Sequence, residues 1–168
     1  MQFRLPRPED EPLLRDYVRE HLDHGETDIT ASHGLTTMPF ADWIAEISRN
    51  AEIGDPEYGK SLLLLGLDEE RLIGLLSIRC ELTREQSEII GDIGYGVRPS
   101  ERGKGYASAM LRHALDVCRE KGKTSVIVGC YKDNRISAKV IQKNGGKLLF
   151  EKDNFTKGRL SQYYLIEL

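Results

Sequence analysis

The stretch Val97-Arg-Pro-Ser-Glu-Arg-Gly-Lys-Gly-Tyr-Ala107 joins an apolar strand pattern to the best amphipathic helix pattern in the chain. Gly103 and Gly105 permit a tight turn and remove the Cβ atoms that would keep a ligand away from the backbone. The first turn of the helix that follows leaves about four N–H groups without intrahelical partners, and the helix dipole adds positive potential there. Arg102 and Lys104 bring two cations to the same turn. Together these features favour an anion, best a phosphate or pyrophosphate. A P-loop would need Gly-Lys-Ser/Thr after four intervening residues, which is absent. A dinucleotide fingerprint would need glycine at position 108, where Ser108 stands, and an acid about 20 positions on, where Ser125 stands.

Upstream of this turn, Ile89–Val97 reads as a strand that ends at Pro99. Before it, Ser61–Leu67 and Leu72–Ile78 read as apolar strands joined by a hairpin turn at Asp68–Arg71. Leu13, Leu14, Tyr17, Val18 and Leu22 fall on one helical stripe, and Phe40, Trp43, Ile44 and Ile47 on another. A polar segment, residues 25–37, separates them, and a short apolar start at residues 3–5 precedes both. Downstream, Ala107, Met110, Leu111, Ala114, Leu115 and Cys118 recur at helical spacing, with Lys121–Gly122 as the stop. Ser125–Val128 reads as a strand, and Ile136, Val140 and Ile141 as a helix closed by Asn144-Gly145-Gly146. Leu148–Phe150 and Tyr163–Leu168 read as strands around a polar loop containing Asn154 and Gly158. The expected order is β α α β β β α β α β β. It implies an α/β fold with a mixed, mostly antiparallel central sheet, helices on both faces, and a parallel crossover through the helix after Val97.

The chain has 168 residues, enough for one domain over residues 1–168 with a sizeable core. Lys+Arg number 24 and Asp+Glu 27, for a net charge of −3, so there is no global basic field for nucleic acid. No apolar run approaches the roughly 18 residues of a membrane span. The N-terminal MQFRLPRPED has no apolar segment of the signal-peptide kind. Cys80, Cys118 and Cys130 cannot all pair and match no zinc spacing, which makes a reducing cytoplasm the expectation. His21 and His24 lack an accompanying carboxylate cluster, so no metal site is expected.

Arg102-Gly103-Lys104-Gly105-Tyr106-Ala107 resembles the R/Q-x-x-G-x-G/A signature of the GNAT superfamily of acyl-CoA-dependent N-acetyltransferases. Asp92-Ile-Gly-Tyr-Gly-Val-Arg-Pro99 is similar to the strand leading into that signature. Asn134-Arg-Ile-Ser-Ala-Lys-Val-Ile-Gln-Lys-Asn-Gly145 resembles the family's later N-x-x-S/A…K-x-G segment. The resemblance implies acetyl-CoA as co-substrate and direct attack by a primary amine of a small molecule or peptide. It places the pyrophosphate on the backbone of Arg102–Ala107. The pantetheine arm would lie between splayed parallel strands, Asp92–Val97 and Ser125–Cys130, near Tyr95 and Val97. Asn134 and Ser137 would contact the pantetheine arm, and Lys139 and Lys143 the outer phosphates, although Asn134 could equally be a helix cap. Relatives often pair, so a homodimer is compatible with it.

The resemblance also assigns chemistry. Asp92 occupies the place of a carboxylate that activates the amine in some relatives. The alternatives are a strand carboxylate paired with a lysine, or Glu88 as the base. The usual acid, a tyrosine seven residues after the Asn, is replaced by Ile141, leaving Tyr131 as the candidate donor or simply a half-buried aromatic. Cys130 reads as packing. Asp28, His33 and Trp43 fall in the region that shapes the acceptor pocket in the family, and no spacing selects among them. A CoA-binding sensor or scaffold without transferase activity is the alternative that Ile141 permits.

Overall fold

A computed structural model describes residues 1–156 and 159–168. The elements are β1 (Gln2–Arg4), α1 (Glu11–Asp23), α2 (Phe40–Glu52), β2 (Ser61–Asp68), β3 (Arg71–Arg79), α3 (Arg84–Ile90), β4 (Ile93–Val97), α4 (Tyr106–Glu120), β5 (Ser125–Tyr131), α5 (Arg135–Lys143), β6 (Lys147–Thr156) and β7 (Arg159–Glu167). They form two sheets, ordered β1-β2-β3-β4 and β5-β7-β6, and every ladder among the described residues is antiparallel. The expected single central sheet is therefore divided. It divides where β4 meets β5: the Asp92 N–H donates to Ile127 O at 2.7 Å, and the two strands then bound a gap.

The Leu-rich run of β2 has apolar residues on both faces because both faces are covered. Leu63, Leu65 and Leu67 pack with Leu14 and Tyr17 of α1 and with Trp43 and Ile47 of α2. Leu64 points the other way, with Ile73, Leu76 and Ile78 of β3, towards Met110, Leu111, Ala114 and Cys118 of α4 and Ile141 of α5. Gly66 pairs with Gly74 and Leu67 with Leu72, so Ile73 is an extra residue and β3 changes face there. After that bulge, Leu75, Ser77 and Arg79 face the α1–α2 side. Gly74 is required at this point, since an added Cβ would stand 2.2 Å from Gly96 O on β4.

Two readings change. The strand expected over Ile89–Val97 starts only at Ile93, and α3 occupies Arg84–Ile90. The cause is a capping box: Thr83 Oγ1 accepts from the Gln86 N–H at 3.3 Å, and Gln86 Oε1 accepts from the Thr83 N–H at 2.9 Å. Gly91, at φ +74°, then turns the chain into β4. β6 and β7 also extend through much of the segment read as a polar loop, with Asn154 on the β6 backbone, while Gly158 lies outside the described residues. Among the described residues no helix is long and apolar enough to cross a membrane, and no group of three or more His, Cys, Asp or Glu could hold a metal.

Candidate active site

The turn before α4 is built as the sequence implied. Gly103 and Gly105 take φ +79° and +88°, and a Cβ at either would meet nothing within 4 Å, so the backbone is open on that side. The first α4 amides bonded within the turn are those of Ser108 and Ala109, both to Gly105 O. Both signature cations are engaged with carboxylates. Arg102 donates from Nη1 and Nη2 to Glu26 at 2.5 and 2.7 Å, and from Nε to Val97 O at 3.0 Å. These bonds from Arg102 chiefly hold the Glu26 carboxyl down at about 2. Lys104 Nζ donates to Glu101 at 2.8 Å, and Tyr106 Oη donates to Asp68 at 2.5 Å. The groups that face outward for an anion are therefore the peptide N–H groups at the helix start.

The gap between β4 and β5 leads into a cavity of about 420 Å³. Ile93, Gly94 and Tyr95 line one wall, Gly129, Cys130 and Tyr131 the other, with Asn134 and Ser137 at the start of α5. Among the described residues β4 pairs in a ladder with β3 alone, which leaves its other edge towards this gap. Tyr95 Oη and Ser137 Oγ share a hydrogen bond of 3.0 Å, and burial pushes the Tyr95 phenol up to about 12, so it stays protonated. Asn134 Oδ1 accepts from the Ser137 N–H at 3.0 Å, a helix cap at the lip of the cavity. Burial pushes the Cys130 thiol up to about 11, which makes it a poor nucleophile. The Tyr131 ring carries the Arg159 guanidinium at 3.8 Å from its centroid. Lys139 and Lys143 are exposed on α5. Ile141 is fully buried in the core, so the position of the family's usual tyrosine serves packing.

The far side of the cavity is the segment between α1 and α2, with Asp28, Ile29, Thr30, Ala31, Ser32 and His33 in its lining. Ala31 and His33 adopt left-handed backbone at φ +64° and +49°, which is uncommon for residues with a Cβ. Trp43, fully buried, donates its indole N–H to Ser32 O between them at 2.8 Å. Trp43 is thus the anchor of the loop and not part of the lining. His33 Nε2 lies 2.8 Å from Ser77 Oγ. Burial, then the charge of Arg79, brings the imidazole down to about 4, so it is neutral at physiological pH. Ser77 and Arg79 were missed in the sequence, although they break the apolar alternation of β3 at its end.

Asp92 is not in the lining of this cavity, and its contacts favour the other reading of it, a strand carboxylate paired with a lysine. Its Oδ1 accepts from Ser87 Oγ at 2.9 Å and Lys123 Nζ at 2.6 Å, and its Oδ2 accepts from the Ile127 N–H at 2.7 Å. The residue is 2% exposed and borders a separate small cavity with Ser87, Lys123 and Ser125. Gly91 turns it away from the β4 wall, and the carboxylate joins β4 to β5 at the root of the gap. Glu88, the reserve candidate, accepts from Arg84 Nε at 2.6 Å on α3.

Comparison with known proteins bears on this geometry. A family model described as an acetyltransferase (GNAT) domain matches residues 1–147. No curated protein matches the chain. RimL, a ribosomal-protein alpha-N-acetyltransferase solved in complex with coenzyme A, superposes with a TM-score of 0.75 at 16% identity, covering 99% of this chain and 93% of its own. A ribosomal-protein-alanine N-acetyltransferase from Brucella melitensis gives a TM-score of 0.70 at 15% identity, covering 100% of both chains. The yncA protein of Salmonella typhimurium, solved with acetyl-CoA, gives 0.68 at 16% identity, covering 99% of this chain and 93% of its own. At these identities the likeness is one of fold.

Proposed function

Because the chain belongs to the GNAT acetyltransferase family, we propose that residues 1–168 form one catalytic domain that moves an acetyl group from acetyl-CoA to a primary amine. In this reading the backbone of Arg102–Ala107 binds the pyrophosphate, with Lys143 available to the outer phosphates. The pantetheine arm lies along the β4 edge at Tyr95, β4 and β5 running parallel beside it. Val97 sits at the entry, although its carbonyl is shared with Arg102 Nε. Asn134 and Ser137 border the arm from α5. The observation that carries the reading is continuity: the open glycine turn, the β4 edge left towards the gap and the cavity of about 420 Å³ follow one another along β4 and α4.

Acetyl-CoA supplies a thioester carbon; the amine nitrogen forms a bond to it as the C–S bond breaks, its electron pair going to sulfur. The proton lost by the amine balances the thiolate. His33 is neutral and borders the cavity; its Nε2 is engaged with Ser77 Oγ, and in the tautomer that donates there its Nδ1 accepts from the uncharged amine. Tyr131 is the donor we place near the leaving sulfur. A cytoplasmic location fits the composition, and self-association through a sheet edge is compatible with the fold.

The test is Ala107→Glu, which sets a carboxylate at the first turn of α4. One like charge about 4 Å from a phosphate oxygen costs about 4 kcal/mol at an effective dielectric constant near 20, a loss of several hundredfold in CoA affinity. Calorimetry on the folded variant reads it, and unchanged affinity would show that the turn is not the site. Release of CoA thiol across a panel of amines reads transfer in the wild type. A sensor or scaffold would bind acetyl-CoA without amine-dependent release.

A further inference from the structure

Arg79 closes β3 with its side chain in the wall of the acceptor cavity. The bulge at Ile73 puts it on the same face as Ser77, two residues earlier, beyond the point where the apolar cluster under α1 and α2 ends. Its Nη1 donates to Gly91 O at 3.2 Å. Among the described residues it has no ion-pair partner. The acidic group whose charge it feels, Asp92, is committed to Lys123, Ser87 and the Ile127 amide. An inward-facing guanidinium without a counter-ion is costly in a fold, and a ligand carboxylate relieves that cost through a bidentate pair. The rest of the lining matches a zwitterion. Asp28 is the acidic residue in it, and His33 is neutral, its Nε2 engaged with Ser77, which is buried behind the lining.

We propose that the acceptor is a small primary amine bearing a carboxylate, of free amino-acid size, and that Arg79 binds that carboxylate. This rests on the transferase reading above. A cavity of about 420 Å³ lies in the range of small-molecule sites and is a fitting size for such a substrate beside the thioester. Arg79 is then a specificity-determining residue, and Asp28 supplies the opposite charge for an ammonium group on entry.

The experiment compares free α-amino acids with their carboxamides and with the corresponding decarboxylated amines, using acetyl-CoA and thiol detection. The wild type is expected to favour the acid by at least tenfold in kcat/KM, mainly through KM. Arg79→Gln should bring the acid-to-amide ratio close to one, and Arg79→Lys should restore part of it. Melting curves identify any variant that fails to fold, and the ratio within the wild type stands without either variant. Equal or better use of amides and simple amines by the wild type would overturn the proposal while leaving transfer intact. Use of acidic N-terminal peptides, but not of free amino acids, would also overturn it. A second arm is independent of turnover: calorimetry of N-acetyl amino acids against N-acetyl amino amides on the CoA-loaded protein. Arg79-dependent binding of the acid there, with no amine acetylated, would sink the transferase reading but sustain the carboxylate site. No preference for the acid in that arm would sink the site.

Discussion

Replacing Asp92 by Asn separates a structural carboxylate from a catalytic one. In the wild type both oxygens are used, Oδ1 by Ser87 and Lys123 and Oδ2 by the Ile127 amide. The Asn amide has one oxygen and one NH2 group. The amide is uncharged, so the ion pair with Lys123 is lost either way; in addition its NH2 faces either the Ile127 N–H, orphaning a buried donor, or the Lys123 ammonium, losing that hydrogen bond as well. An orphaned buried amide costs about 1–3 kcal/mol. Breaking a fully buried ion pair costs about 3–5 kcal/mol, and here less, because the Lys123 side chain is 17% exposed and can regain water. The expected loss is therefore about 2–4 kcal/mol, or roughly 5–15 °C in Tm for a domain of this size. A typical fold has about 5–15 kcal/mol in hand, so the variant still folds at room temperature. The assay is thermal and urea unfolding alongside kcat/KM on the same preparation, corrected for the folded fraction. Per folded molecule, kcat/KM should stay within about threefold, whereas loss of a general base typically costs about 10²–10⁴. An Asp92→Asn protein with the wild-type Tm and a hundredfold slower rate would refute the assignment.

Two further outcomes follow from the geometry. The His33 imidazole, brought down to about 4 by burial and then by Arg79, gives no rate limb between pH 6 and 7; kcat/KM should climb from pH 7 upward with the pKa of the acceptor amine, and a plateau beginning near 6.5 would contradict the neutral imidazole. The same depression costs stability as pH falls from 6.5 through about 4, because the unfolded chain takes up the proton first, and His33→Asn should flatten that part of the stability–pH curve. Gly74→Ala should destabilise the β3–β4 pairing by about 3 kcal/mol or more, since its Cβ meets backbone oxygen and not a flexible side chain; a melt within 2 °C of wild type would show that the strands separate there without cost.

What could be read from the sequence was what is local. The turn at Gly103–Gly105 and the stripes of α1, α2 and α4 each depend on residues a few positions apart, and they appear as expected. α3 was hidden because Ile89 and Ile90 run into Ile93 as one apolar stretch. Its Thr83–Gln86 capping box was nevertheless legible, being a start signal at fixed spacing. The orientation of Asp92 was hidden for the same reason. Once the strand starts at Ile93 and not Ile89, Gly91 resets the alternation and the carboxylate leaves the cavity wall. The acceptor side was the least legible. His33 and Ser77 meet across 44 positions, brought together by the α1–α2 loop crossing β3 and by Trp43 fastening that loop from α2. No periodicity records such a meeting. For Arg79 a signal did exist: two polar residues ending an otherwise apolar strand.

The ion pairs around the signature turn also explain how the two halves of the site are held together. Arg98, 2% exposed, binds Asp16 and Glu20 of α1, and Glu20 accepts from the Ser100 N–H at 2.8 Å. Glu101 is shared by Arg71 and Lys104. Arg102 grips Glu26 with both terminal nitrogens. The side-chain charge of the turn is thereby spent within the protein, so the attraction left for a phosphate comes from oriented peptide N–H groups and the dipole of α4. Glu26 opens the segment whose later residues, Asp28 to His33, line the cavity. The guanidinium beside the glycine turn therefore also fixes the near end of the loop that lines the cavity, while Trp43 fixes its far end. Arg102 thus ties the glycine turn to the loop that lines the cavity, and on the proposed function its role is positional before it is electrostatic.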